Sequence, residues 1–157
     1  MEKRYIIVLV FITVIVGVAF YFIKSTTSIQ QQVTTTKLKA TMYTTPTCGC
    51  CHNYARYLEE NGIDVKTIYI SDRELREKLN VAPRELQSCH IIEFDSYYVI
   101  GHVPLEAIKK LLTEKPAIKG ITLPGMPPGS PGMGGIKQGK LTIYYFDEEE
   151  VGIFMKV

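Results

Sequence analysis

Lys39-Ala40-Thr41-Met42-Tyr43-Thr44-Thr45-Pro46-Thr47-Cys48-Gly49-Cys50-Cys51-His52 is the stretch on which the fold turns. Lys39 to Thr44 alternates in a way that suits a β-strand, and Thr45-Pro46-Thr47 supplies a turn and a helix start. From Cys51 to Asn61 the apolar positions Tyr54, Ala55, Tyr57 and Leu58 recur at helical spacing, and Asn61-Gly62 ends the helix. The spacing predicts a strand running into a helix, with three cysteines at the junction.

Working toward the C-terminus, Val65 to Ile70 reads as a second strand. Ser71-Asp72 caps a short helix reaching about Leu79, with Leu75 and Leu79 turned inward, and Pro83 breaks the pattern. Cys89 to Phe94 and Tyr97 to Val103 read as two strands joined by the two-residue turn Asp95-Ser96. Pro104 fits the first turn of a helix to about Glu114, with Ile108, Leu111 and Leu112 apolar. From Lys39 to Glu114 the order is thus β-α-β-α-β-β-α, the order of a thioredoxin-like domain. It predicts an α/β mixed sheet with flanking helices. Pro124 to Gly139 is dominated by Gly and Pro and excludes regular structure, while Leu141 to Phe146 and Val151 to Val157 read as a C-terminal β-hairpin extension.

Toward the N-terminus, Ser25 to Thr36 is polar and without periodicity, so residues 25–36 read as a linker. Before it, Tyr5 to Ile23 is an unbroken run of largely apolar residues. Nineteen residues at a rise of 1.5 Å cover about 28 Å, close to the hydrocarbon thickness of a bilayer. The run is longer than a signal-peptide core, and Ala19-Phe20-Tyr21 offers no small-residue cleavage site. Residues 1–24 are therefore read as an N-terminal transmembrane helix acting as a membrane anchor, and residues 37–157 as one metal-binding domain. Lys3 and Arg4 favour a cytoplasmic N-terminus, which places the domain on the extracytoplasmic side. Beyond the anchor, acidic and basic residues are equal in number, which argues against a nucleic-acid partner. A domain of this length buries an ordinary core without needing disulfides.

All four cysteines and all three histidines fall close to one another. Cys48, Cys50 and Cys51 sit at the start of the first helix, where the macrodipole favours thiolate and lowers cysteine pKa values. The thioredoxin-like topology brings the start of the third strand, with Cys89, to the same place. With Asp95-Ser96 as the turn, Phe94 faces Tyr97, and counting outward along both strands Cys89 faces His102; such partners share a face, with Cβ atoms about 4.5–5.5 Å apart. Regular alternation points His90 away from Cys89, but alternation often fails at a strand start, so His90 remains a candidate ligand. His52 follows Cys51 on the helix and reads as a surface histidine.

Several chemistries compete for these residues. Two structural disulfides suit an extracytoplasmic domain but leave the histidines unexplained, and adjacent Cys50 and Cys51 cannot pair without severe strain. A thiol–disulfide oxidoreductase would use Cys48 and Cys51 as its C-x-x-C, leaving two further cysteines without a task. Cys48 to His52 matches the C-x-x-C-H pattern of haem attachment, yet the segment reads better as a helix start; an iron–sulfur cluster on the four cysteines has similarly little support. Metal binding accounts for the most residues. Thiolates and imidazoles select soft ions such as Cu(I) or zinc. Three cysteines within four residues crowd a single zinc tetrahedron but suit copper ions sharing bridging thiolates, so copper is preferred and zinc is the alternative. Met126 and Met133 are thioethers on the Gly/Pro segment; packing is their first reading, and the segment could fold over the site as a lid.

In this order, Thr45-Pro46-Thr47-Cys48-Gly49-Cys50-Cys51, Ser88-Cys89-His90, Gly101-His102-Val103-Pro104, and Pro124-Gly125-Met126-Pro127 with Gly129-Ser130-Pro131-Gly132-Met133 resemble the CopG-like copper-resistance family. The match covers about Thr41 to Met133 and extends to the final hairpin. The resemblance implies a thioredoxin-like fold, an extracytoplasmic setting and copper bound through Cys48, Cys50, Cys51 and Cys89. It implies a role in copper tolerance, with copper redox chemistry as an extension and other copper-handling proteins as partners. His90 and His102 lie in matching motifs and His52 lies in none. The anchor departs from members that are freely soluble in the periplasm. The expected metal ligands are therefore Cys48, Cys50, Cys51, Cys89, His90 and His102.

Overall fold

A computed structural model describes residues 13–22 and 37–157. The chain divides into two units, residues 1–36 and 37–157. In the first, residues 13–22 are helical and exposed; the remainder of the expected anchor and the whole 25–36 linker lie outside the described residues. Among the described residues no helix is long and apolar enough to cross a membrane.

The second unit is a seven-stranded sheet. β1 (Leu38–Thr44) leads into α1 (Gly49–Glu60), then β2 (Ile63–Tyr69), α2 (Asp72–Leu79) and a short 3-10 turn at Arg84–Leu86. The hairpin β3 (His90–Phe94) and β4 (Tyr97–Gly101) precedes α3 (Leu105–Glu114), β5 (Gly120–Leu123), β6 (Thr142–Phe146) and β7 (Val151–Lys156). The strand order is β2-β1-β3-β4-β5-β6-β7, with β1/β2 and β4/β5 parallel and the other pairs antiparallel.

The predicted order from Lys39 to Glu114 is the observed one, and β5 is an addition to it. β5 joins the terminal hairpin to β4, so β6 and β7 continue the same sheet instead of forming an appendage. Each of its four residues is buried, so the segment has no polar alternation to mark it as a strand.

Alternation sorts the apolar side chains onto two faces. Met42, Ile92, Phe94, Val99 and Ile121 pack with Tyr54 and Leu58 of α1 and Ile108 and Leu111 of α3. Ile91 and Ile100 point to the other face, against Leu75 and Leu79 of α2. Burying each such side chain stabilises the fold by about 1.5–3 kcal/mol, so the helices are held to the sheet by these contacts. α2 is started by a capping box, in which the Ser71 hydroxyl accepts from Glu74 N and the Glu74 carboxylate accepts from Ser71 N at 2.8 Å.

Candidate metal centre

The topology carries the donors to one end of the sheet. β3 runs antiparallel to β1, and Thr44, the last residue of β1, pairs with His90, the first of β3. Cys89 therefore sits beside the loop from Thr45 to Cys48 that opens α1. Cys48 is the N-cap residue of α1, and its N–H donates to Thr45 O at 3.2 Å, closing the turn that Pro46 initiates.

The β3–β4 pairing has the expected register, with Phe94 opposite Tyr97 and Ile91 opposite Ile100. Continued past the regular ladder, it brings the Cys89 Sγ to 3.5 Å from His102 Nε2. The same sulfur lies 3.4 Å from His90 Nδ1 and 3.4 Å from Cys51 Sγ. Cys89 is the hub of the cluster. His90 stands at the strand start, where alternation gives way, and its ring turns toward Cys89 along with that of His102.

Cys48 and Cys51 are joined by a disulfide, leaving Cys50 and Cys89 as free thiols. The Cys48 and Cys50 sulfurs are 3.6 Å apart. Among the described residues two groups of donors, each completed by opening the disulfide, have the spacing to hold an ion, with ligand atoms all within 4.8 Å of one another. One is Cys48, Cys50, Cys51 and Cys89; the other is Cys51, Cys89, His90 and His102. Cys51 and Cys89 belong to both, which is the arrangement bridging thiolates require. His52 belongs to neither: it is exposed and makes an edge contact with Tyr69, its ring centroid 5.6 Å away.

Tyr54 forms the floor of the site. Its ring centroid lies 4.9 Å from that of His90 and 5.1 Å from that of His102, and its hydroxyl donates to Val103 O at 2.6 Å. Burial holds its phenol well above the ordinary pKa, which keeps it a donor. Tyr57 stacks on Tyr54 and accepts from Leu105 N at 3.1 Å, tying α1 to the start of α3. No sequence pattern singled out Tyr54 beyond its apolar helical spacing.

The electrostatics favour neutral donors. Burial, then the neighbouring His102, pushes the His90 pKa down to about 3, against a smaller opposing effect of the Gly101 backbone. His90 Nε2 is buried without a hydrogen-bond partner. Burial also lowers the His102 pKa. His102 Nδ1 lies 2.7 Å from Pro131 O; a carbonyl only accepts, so the proton is on Nδ1 and Nε2 offers a lone pair toward Cys89. Cys89 behaves oppositely to what a helix start would impose: burial, then Cys50, pushes its pKa up to about 11. It stands just before β3 and not at the helix start, and loss of water is the largest cause of its shift. A soft cation would replace the Cys89 thiol proton and take the lone pair of an imidazole that burial already keeps neutral.

A helix-start cysteine cluster facing a Cys–His pair on a thioredoxin-like sheet defines a class, the thioredoxin-like domains able to hold a soft metal. The comparisons agree with that class. A glutaredoxin family model matches residues 40–82, and the model described as a protein of unknown function, DUF411, matches residues 86–133. Form 1 of the solved copper resistance protein CopG is 31% identical, covering 77% of this chain and 98% of that one, with a TM-score of 0.67. Form 2 is also 31% identical, covering 76% and 98%, with a TM-score of 0.66. No curated protein matches the chain. The chain belongs to the CopG copper-resistance family.

Proposed function

We propose that this protein holds copper at the outer face of a membrane and serves copper tolerance. Cys48, Cys50, Cys51 and Cys89 supply thiolates once the disulfide is reduced, and His90 and His102 complete the donor set. The observation that carries this reading is the Cys89 sulfur, within about 3.5 Å of two imidazole nitrogens and a second cysteine sulfur. Such a mixed S/N set suits Cu(I). Two donor groups sharing Cys51 and Cys89 favour more than one copper ion over a single zinc. The solved relatives are named copper resistance proteins, which supports copper over zinc.

The apolar run Tyr5 to Ile23 would anchor the chain, with Lys3 and Arg4 holding the N-terminus on the cytoplasmic side. The domain then meets copper outside the cytoplasm, where other copper-handling proteins exchange it. Opening the Cys48–Cys51 disulfide to two thiols takes two electrons and two protons, which balances the oxidation of two Cu(I) to Cu(II), and re-forming it would reduce two Cu(II); copper redox chemistry therefore belongs to the same reading. That bond also favours a second reading, a thiol–disulfide oxidoreductase using Cys48 and Cys51.

The test uses the full-length chain, reduced and handled without oxygen, offered Cu(I) and then assayed for metal and free thiols. Tightly held copper with all four thiols protected from alkylation is expected. A chain that stays empty sinks the copper reading, and stoichiometric zinc alone moves the site to a structural role. The oxidoreductase reading requires disulfide exchange that survives Cys50→Ser and His102→Ala. Protease added outside cells whose cytoplasmic membrane is intact tests the topology: a domain that escapes cleavage until that membrane is opened would reverse it.

A further inference from the structure

The Gly/Pro loop contains the tripeptide Pro-Gly-Met twice, and the two copies are placed differently. In the first, Gly125 has open space where a Cβ would be. In the second, Gly132 lies flat on α1. A Cβ there would come within 2.6 Å of Tyr54 N and 2.8 Å of Tyr54 Cα, and these helix backbone atoms have no room to yield. Its φ of +75° lies in the left-handed region, which any residue with a Cβ adopts only under strain.

The loop is braced behind this contact. Ser130 is buried and donates from Oγ to Pro127 O at 2.7 Å, while Met133 N donates to Ser130 O at 2.9 Å. Gly129 N donates to Gly134 O at 3.1 Å, closing the turn. Pro131, fixed between this brace and the α1 contact, presents its carbonyl to His102 Nδ1.

We propose that Gly132 is a positioning residue for His102, acting through the Pro131 carbonyl. A neutral imidazole carries one N–H, and the nitrogen that holds it is set by its hydrogen-bond partner. Seating Gly132 on Tyr54 places Pro131 O where it retains the proton on Nδ1. Nε2 is then bare and aimed at Cys89 Sγ, ready for an ion before one arrives. Gly132 itself supplies no ligand atom. Lifting the loop would leave the ring free to turn and to carry its proton on either nitrogen. The inference rests on the copper reading of the site for its consequence, but not for its geometry.

The test compares the full-length wild-type chain with Gly132→Ala and with Gly134→Ala. Gly134 lies in the same loop with open space around its Cβ position and serves as the control. Long-range nitrogen–proton NMR of the reduced, metal-free chain reads the tautomer of each histidine. Competition with a chromogenic Cu(I) chelator reads retention. Wild type and Gly134→Ala are expected to carry the His102 proton on Nδ1. Gly132→Ala is expected to show mixed tautomers at His102 alone, with about 10–100-fold weaker Cu(I) retention. A Gly132→Ala chain with wild-type tautomer and retention overturns the proposal. Should that variant fail to fold, the wild-type spectrum decides, because an Nε2–H tautomer at His102 overturns it equally. A wild-type chain that holds no Cu(I) sinks the copper reading alone, and the tautomer comparison still decides this one.

Discussion

Cys89 and His102 face each other across the β3–β4 hairpin, Sγ and Nε2 3.5 Å apart, although 13 residues of chain separate them. Cys89 is also shared by both donor groups, whereas Cys48 belongs to only one. Cys89→Ser should therefore weaken Cu(I) retention more than Cys48→Ser does. A hydroxyl is a poor ligand for a soft ion, and the loss should exceed the roughly 10–100-fold typical of outer-shell changes. Chelator competition on the two reduced variants measures it, and equal losses would remove Cys89 from its central place.

The disulfide and the four-thiolate donor group are mutually exclusive uses of Cys48 and Cys51. Oxidised protein should show two accessible or denaturant-released thiols, Cys50 and Cys89, against four after reduction. Its copper capacity should fall with the missing pair. Thiol titration and copper analysis on the same sample check both, and Cys48→Ser should abolish the dependence on oxidant. Full copper capacity in the disulfide form would show that the Cys48–Cys51 pair is not part of the ligand set.

Burial of two histidines makes the metal-free fold sensitive to acid. The folded-state pKa of His90 is about 3, below the unfolded value near 6.5. Between these values the unfolded chain binds more protons than the folded one, so stability rises with pH across that window. The contribution is present above about pH 6.5 and is lost as pH falls toward 3, on the order of a few kcal/mol in all. His102, also lowered by burial, acts in the same direction. Urea unfolding midpoints from pH 7 to pH 4 should drop, and His90→Leu should flatten the fall. A midpoint unchanged with pH in both chains would show that His90 titrates normally.

Much of this centre was legible before any coordinates, for reasons that differ by residue. The Asp95-Ser96 turn fixed the hairpin register, and register alone placed His102 beside Cys89, because a two-residue turn leaves a single pairing. His52, adjacent to the motif in sequence, faces solvent, since it lies about 100° round α1 from Cys51 and off the buried stripe of Cys51, Tyr54, Ala55 and Leu58. Other features were hidden. β5 lies in mid-sheet with both faces covered, so it reads as a brief apolar run between Pro116 and Pro124. The raised pKa of Cys89 follows from desolvation at the strand end, which motif spacing does not report. The role of Pro131 rests on a backbone carbonyl, and side-chain patterns carry no record of where a carbonyl points.

Tyr54 offers a separation of packing from polarity at the floor of the site. Its ring touches both histidines, and its hydroxyl caps the Val103 carbonyl just after the His102 turn. Tyr54→Phe keeps the ring and deletes only the donor, leaving Val103 O buried without that partner. An orphaned buried acceptor costs about 1–3 kcal/mol, whereas the imidazole contacts depend on the ring face and survive. Thermal melting should show the loss, while Cu(I) retention of the folded variant should stay within a few-fold of wild type. Tyr54→Ala removes ring and hydroxyl together, and a buried aromatic truncated to alanine costs about 3–5 kcal/mol. Copper retention should then fall as well, because nothing holds the two imidazole planes. If Tyr54→Phe loses copper as heavily as Tyr54→Ala, the hydroxyl bond at Val103, and not ring contact, orients the histidines.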